Sequence, residues 1–174
     1  YLRGATSQQH ARLDAAASSM HLDTAAGYAR FLQAQASVLI PLEQSLCRNG
    51  ISGVLPDWPK RRRADALKAD LADLHISYSP RTVPDFSGMA ALLGAAYVLE
   101  GSRLGASFIL KNLARDTAMR FLRHGEESRL WQGFLDILES NADVRENRER
   151  AAEGARKVFS LFIEAMAQNE MVAA

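Results

Sequence analysis

The chain has 174 residues, of which 48% are hydrophobic and 24% charged, and its formal net charge is +1. This length and composition exclude a disordered chain and predict one domain over residues 1–174. The near-neutral charge, the single cysteine and the lack of an apolar run near ~18 residues predict a cytoplasmic protein with no nucleic-acid or membrane partner and no internal disulfide.

Apolar residues recur three and four positions apart and strand signals are almost missing, which predicts an all-α, single-domain bundle. Glycines and prolines mark the loops between the helices. The predicted helices cover about residues 2–19, 24–48, 60–74, 86–123, 126–140 and 142–172.

Local features refine this assignment in the first half of the chain. Asp23 or Thr24 is expected to N-cap the second helix, whose apolar stripe runs from Tyr28 to Leu46. Pro41 lies inside that stripe and is expected to kink the helix. The basic run at residues 60–63 is expected to be a solvated helix start, because Asp65 and further acidic residues follow it.

Three glycines fall on nearly one face of the fourth predicted helix, namely Gly94, Gly101 and Gly105. Each costs a helix about 1 kcal/mol relative to alanine. Two explanations are open. The glycines allow close packing against another helix, which spacing alone favours, or they make room for a flat, bulky group and let the helix bend.

His10 lies in the middle of the first predicted helix, and Asp14 follows it by one turn. A carboxylate on one ring nitrogen fixes the tautomer and leaves the other nitrogen to bind a metal. The alternative is a packed or surface histidine, which is the expectation for His21, His75 and His124. Glu100 is expected in or near the core, where it needs a partner.

Three segments resemble the haem oxygenase family. "LRGATSQQHARLD" (residues 2–14) is similar to the family's opening helix, with the signature L-x-x-A-T-x-x-x-H. "TAAGYARFLQAQASVLIPLE" (24–43) is similar to the second helix of bacterial members, and "YVLEGSRLGAS" (97–107) resembles their distal helix. The segments occur in family order, and the resemblance is closest to the bacterial subgroup associated with bacteriophytochromes.

The resemblance implies that haem is both substrate and cofactor and lies between the first helix and the distal helix. His10 would be the proximal iron ligand, and Asp14 would orient it. Arg3 matches a basic position that meets a haem propionate, which suits a guanidinium. Phe159 falls near a position that contacts the macrocycle.

The distal helix is expected to be kinked, and its glycines would lie against the porphyrin. Gly101 and Gly105 match the two distal glycines of the family. Ser102 stands where animal enzymes carry an aspartate that organises distal water. Ala106 stands where many relatives have a further glycine, which predicts a less free approach of the backbone to haem.

The activity implied is cleavage of haem to biliverdin, CO and Fe²⁺, driven by O₂ and external electrons. The sequence has no flavin or iron–sulfur motif, so a separate ferredoxin or reductase is expected as electron donor, and the subgroup implies a functional link to a bacteriophytochrome. Two alternatives are a non-catalytic haem-binding or carrier protein on the same fold and a cofactor-free helical interaction module.

Overall fold

The computed structural model describes residues 1–111, 113, 118–126 and 129–171, the side chains of 169–171 excepted. Every regular element in these ranges is helical, which confirms the predicted all-α class. The α-helices are α1 (Leu2–Ala5), α2 (Ser7–Ser19), α3 (Ala25–Arg48), α4 (Trp58–Arg61), α5 (Ala64–Asp73), α6 (Met89–Leu110), α7 (Arg120–Arg123), α8 (Leu130–Ser140), α9 (Ala142–Glu146) and α10 (Arg148–Met171).

Helices α3, α6 and α10 supply most of the apolar core, and α2 packs on the outside of α10. Thr24 N-caps α3 as predicted, because its hydroxyl oxygen accepts from the backbone N–H of Gly27 at 3.0 Å. The stripe from Tyr28 to Leu46 is buried, which confirms the predicted inner face. The helix continues through Pro41, and the bend there stays a prediction.

The backbones of α6 and α10 touch where the two helices cross. A Cβ atom on Gly94 would lie 1.9 Å from the carbonyl oxygen of Ala151 in α10. A Cβ on Gly154 of α10 would lie 2.4 Å from the carbonyl oxygen of Ala91 in α6. Only glycine fits at such a distance, so close helix packing is the correct explanation for Gly94.

The predicted third helix is divided into α4 and α5 in the structure. It is interrupted at Arg62, which is extended with φ −61° and ψ 135°, and α5 starts only at Ala64. The carboxylate of Glu43 in α3 sets this start, since it accepts from the N–H of Arg63 at 2.7 Å and of Ala64 at 3.1 Å. The short helix α4 lies upstream, with Pro59 in its first turn, where proline is tolerated.

The basic run at residues 60–63 is not a solvated helix start, so that prediction is wrong. Arg61 and Arg63 are each only 3% exposed. Their guanidinium groups make hydrogen bonds with groups on α6, as described below. The sequence shows the positive charges but not the partners that bury them.

The long segment predicted at residues 86–123 is also shorter in the structure. Gly88, with φ +88°, precedes the first residue of α6, and the helix ends at Leu110. A separate helix, α7, starts at Arg120, because the buried carboxylate of Asp70 accepts from the N–H groups of Arg120 and Phe121. Residues 112 and 114–117 of the predicted span lie outside the described residues.

Two other predicted helices are each divided once. The first breaks at Thr6, with φ −122° and ψ 9°, where the side-chain hydroxyl donates to the carbonyl of Leu2. The last breaks at Asn147, which separates α9 from α10. Among the described helices, none is both long enough and apolar enough to cross a bilayer.

Candidate functional site

His10 lies on the outer surface of α2, a helix in which no residue is fully buried. Its side chain is 62% exposed, and its Nδ1 atom lies 2.9 Å from Oδ2 of Asp14, as the spacing predicted. A proton on Nδ1 is thereby directed to the carboxylate, which leaves Nε2 as the ring nitrogen for a metal. The arrangement therefore leaves one ring nitrogen of His10 outside the contact with Asp14.

Phe159 of α10 forms the surface behind His10. The phenyl ring is 3% exposed, and its centroid lies 5.8 Å from that of the imidazole in an edge-to-face contact. Because α2 packs on α10, the imidazole is fixed against an apolar ring on one side and open on the other. The structure therefore brings together His10, Asp14 and Phe159.

The second half of α6 presents an open apolar face. A Cβ on Gly105 would meet no atom within 4 Å, and one on Gly101 would meet only the Trp131 ring at 3.6 Å. Leu104 is 59% exposed and Phe108 is 72% exposed, and both follow the glycines at helical spacing. We call residues 101, 104, 105 and 108 the distal face. Exposed apolar side chains that lie together on a surface are typical of an interaction or ligand-binding site.

Arg3 and Tyr97 lie near each other beside the distal face. Burial raises the pKa of Tyr97, and the positive charge of Arg3 acts in the opposite direction. Tyr97 precedes Gly101 by one turn of α6, and its ring centroid lies 5.6 Å from that of Trp131. Arg3 of α1 is exposed, and a guanidinium of this kind can bind a carboxylate.

Ser102 adjoins the distal face, but its hydroxyl is directed elsewhere. The oxygen accepts from Nη2 of Arg63 at 2.7 Å, and the hydroxyl donates to the carbonyl of Leu99 at 2.8 Å. Ala106 is 5% exposed, so its methyl group lies in the core and not on the distal face. The expected effect of Ala106 on the approach of the backbone to haem stays a prediction.

Sequence reasoning missed a buried polar cluster on the far side of α6. Glu100, expected to need a partner, has two: Arg61 and Arg103. His124 is half-buried beside Arg103, so its expected surface position is wrong. Burial, together with the charges of Arg103 and Arg63, lowers the pKa of His124. The presence of Glu100 inside an apolar helix is the sequence feature that could have predicted this cluster.

Within the described part of the chain, no three His, Cys, Asp or Glu side chains converge as a metal cage.

Comparisons with known proteins identify relatives over most of the chain. The sequence model of the family described as "Heme oxygenase" matches residues 1–168. The chain is 32% identical over 169 residues to the heme oxygenase PigA of Pseudomonas aeruginosa, with 90% of this chain and 85% of PigA covered. It is 30% identical over 148 residues to a heme oxygenase of Xanthomonas campestris pv. campestris, with 82% of this chain and 89% of the relative covered.

A solved structure shows the same fold. It is the NO- and CO-bound heme oxygenase from Neisseria meningitidis, which superposes with a TM-score of 0.84 at 22% sequence identity. The match covers 97% of this chain and 89% of the other. At this identity the likeness supports the arrangement of the helices.

Proposed function

Because the chain belongs to the haem oxygenase family, we propose that it cleaves haem to biliverdin, CO and Fe²⁺ at a site between His10 and the distal face. The family establishes an enzyme that binds and degrades haem. The product, the iron ligand and the role of the glycines are our proposal. Two observations carry it: an exposed, carboxylate-oriented histidine on α2, and an open apolar face on α6 that has no side chain at Gly105.

The residues present fit a haem group. A porphyrin is flat and apolar, and the distal face offers Leu104 and Phe108 as apolar contacts around bare backbone. Its propionates are anionic, and Arg3 is exposed near Tyr97 beside this face. Its iron accepts an axial imidazole nitrogen, which is the ligand that His10 offers. Haem bound here would supply an iron centre that binds O₂ and the ring that is opened.

The protein's part is to orient this substrate and to control water and protons around it. Asp14 holds the proton of His10 at Nδ1, so that Nε2 can bind iron as a neutral imidazole. A neutral ligand does not push electron density onto the iron as a thiolate does. Gly101 and Gly105 let the α6 backbone approach the ring face, while Leu104 and Phe108 exclude water from it.

Ser102 is the residue of the distal helix that we assign to proton handling. Its hydroxyl proton is held at the carbonyl of Leu99, and its oxygen is held by Arg63. Both contacts fix the rotamer, so the hydroxyl has a defined position on the helix that carries the distal face. Gly101, Ser102 and Gly105 are thus proposed as the distal part of the catalytic site.

We also propose that O₂ and electrons come from outside the chain, the electrons from a ferredoxin or a reductase. A functional link to a bacteriophytochrome, which uses a bilin, and a cytoplasmic location complete the proposal. They follow from the resemblance of the three segments to the bacterial subgroup.

The test is a hemin titration followed by aerobic turnover with a ferredoxin, its reductase and catalase. We expect a Soret band that saturates at one hemin per chain, then loss of that band with formation of biliverdin and CO. A stable Soret band without ring opening would identify a haem carrier and refute the proposal. No saturable hemin binding would support the helical interaction module instead.

A further inference from the structure

Glu100 is a buried carboxylate at the centre of α6 that the proposed reaction does not use. Its side chain is 1% exposed and lies between two guanidinium groups. Oε2 accepts from Nη1 of Arg61 at 2.7 Å, and Oε1 accepts from Nη2 of Arg103 at 3.0 Å. Buried charges require such pairing, because an unpaired charge in the interior is strongly destabilising. The positions of these three side chains are therefore tightly coupled.

Arg61 links Glu100 to the start of α8. The same Nη1 atom that binds Glu100 also donates to the carbonyl of Leu130, the first residue of α8, at 2.8 Å. A Cβ on Gly133 would lie 3.6 Å from Nη2 of Arg61, so the first turn of α8 rests directly on this guanidinium. Arg103 adds a bond to the carbonyl of His124 at 3.0 Å, just after α7.

Trp131, the residue after Leu130, reaches the distal face. Its ring lies 3.6 Å from where a Cβ of Gly101 would be. It also contacts Tyr97, with ring centroids 5.6 Å apart, and stacks on Phe134 at 6.0 Å. Trp131 is thus the side chain that closes the Gly101 end of the distal face.

We infer that Glu100 is a positioning residue that selects the site of ring opening: it holds Arg61 under Leu130 and thereby fixes Trp131 against Gly101. The position of Trp131 limits how far a flat ring can slide along the distal face, and so determines which meso carbon lies next to bound oxygen. This inference rests on the proposed function. It assigns a specificity role to Glu100 and Arg61, which act on the substrate through Trp131.

The test compares Glu100→Gln and Glu100→Asp with Asp65→Asn, a control that removes an exposed carboxylate from α5. Two readouts are measured: the biliverdin isomers after turnover, and acrylamide quenching of Trp131 fluorescence in protein without hemin. Subtraction of the signal of Trp131→Phe isolates Trp131 from Trp58. The isomer ratio depends on the difference between the activation free energies of attack at two meso carbons, and a change of about 1.36 kcal/mol in that difference changes the ratio tenfold. A small shift of Trp131 should therefore give a measurable change in the isomer ratio.

We expect Glu100→Gln to increase the quenching of Trp131 and to raise the share of minor isomers. Glu100→Asp keeps the charge, so it should change both readouts less than Glu100→Gln does. Asp65→Asn should change neither readout. In the Trp131→Phe background, Glu100→Gln should change the isomer ratio much less, because the two residues act in one chain of contacts. A merely structural role would lower the yield of folded enzyme but leave the isomer ratio of that enzyme unchanged.

An unchanged isomer ratio in Glu100→Gln overturns the inference, even if Trp131 becomes more accessible. Unchanged quenching overturns it as well, since Glu100 then does not hold Trp131. If the wild-type protein opens no haem, the proposed function fails and the specificity role fails with it. The quenching measurement in hemin-free protein still decides separately whether Glu100 positions Trp131.

Discussion

His10 and Asp14 are both more than half exposed, at 62% and 67%. A polar contact between two exposed side chains, even when both are charged, contributes little to stability. Its physical effect is local: the carboxylate restricts the ring orientation and the tautomer of the imidazole. The pair is therefore better explained by a role in binding than by a role in folding.

His10→Ala is expected to weaken hemin binding or to abolish turnover, because the iron loses its protein ligand. The free energy of unfolding should stay within about 0.5 kcal/mol of the wild type, as is usual for exposed positions. Hemin titration and urea unfolding measure the two effects, with Gln8→Ala as an exposed control on the same helix. Retention of both binding and turnover would refute the ligand assignment.

The residues of the proposed site differ in how well the sequence predicts them. His10 and Asp14 follow from a one-turn spacing, and the distal glycines follow from their common helix face. Arg61 could not be placed in the same way, because its partner Glu100 lies 39 positions further along the chain. A run of four basic residues has the same composition whether it is solvated or paired in the core.

At the scale of helices, α6 shows why one periodic pattern can serve two purposes. Gly94 and Gly105 lie on nearly one face, yet α10 crosses that face only at Gly94. Packing thus explains the first glycine, and open space surrounds the last. Periodicity identifies the face but not the neighbour that covers each part of it.

Alanine substitutions at Gly94 and Gly105 test the packed part and the open part of α6 separately. Gly94→Ala should destabilise the protein by about 1–3 kcal/mol or more, because the added methyl group overlaps the Ala151 carbonyl. Gly105→Ala should leave stability unchanged or raise it by up to about 1 kcal/mol, since alanine is the better helix former. We expect it to weaken hemin binding, because the methyl group enters the distal face.

Urea unfolding and hemin titration of both variants provide the measurement, each variant serving as the control for the other. Equal destabilisation by the two substitutions would contradict the open environment of Gly105. Unchanged hemin affinity in Gly105→Ala would contradict its place in the site.

Helix boundaries were the least predictable feature at this scale. The starts of α5 and α7 are capped by Glu43 and Asp70, side chains that belong to other helices. Local signals such as Ser or Thr before an apolar run cannot reveal a cap supplied from elsewhere in the fold. Thr24, which caps its own helix, was predicted correctly.

At the scale of the whole molecule, α7 is attached to the bundle at both ends. Asp70 binds its first N–H groups, and Arg103 donates to the carbonyl of His124 directly after its last residue. His124 is half-buried and faces the cations Arg103 and Arg63, with Glu100 as the opposing anion. Protonation of His124 would thus add a further positive charge beside Arg103 and Arg63.

The global stability should therefore depend on pH through His124. Its folded pKa lies below the usual value of about 6.5, so at lower pH the unfolded chain binds more protons than the folded protein. Stability is then lost as the pH falls from about 6.5 towards the folded pKa. His124→Gln should reduce this loss.

Urea unfolding at about pH 7.5 and about pH 5.5, on either side of the ordinary histidine value, measures the difference. His21→Asn is the control, since His21 is exposed with φ +52°, a conformation that asparagine tolerates. The same pH dependence in wild type and His124→Gln would show that His124 does not contribute.

The fold class of the whole chain was accessible from its periodicity, and the family from three short segments. The helical spacing of apolar residues depends only on residues close together in the chain, so it can be recognised from the sequence. The buried cluster around Glu100 depends on four helices meeting, and it became visible only in three dimensions.

The direct backbone contact at Gly94 and Gly154 has a mechanical consequence for α6. Near one end, α6 packs on α10 without a gap. In its second half, the helix is held again by the ion pair of Glu100 and Arg103. Beyond that second support, residues 104–110 extend for about 10 Å. Ala106, Ile109 and Leu110 pack on the core along one side of this segment, and Leu104 and Phe108 are exposed. A flat molecule on the distal face would therefore press against a helix that is supported from behind, so the backbone at Gly105 should keep its position when the site is filled.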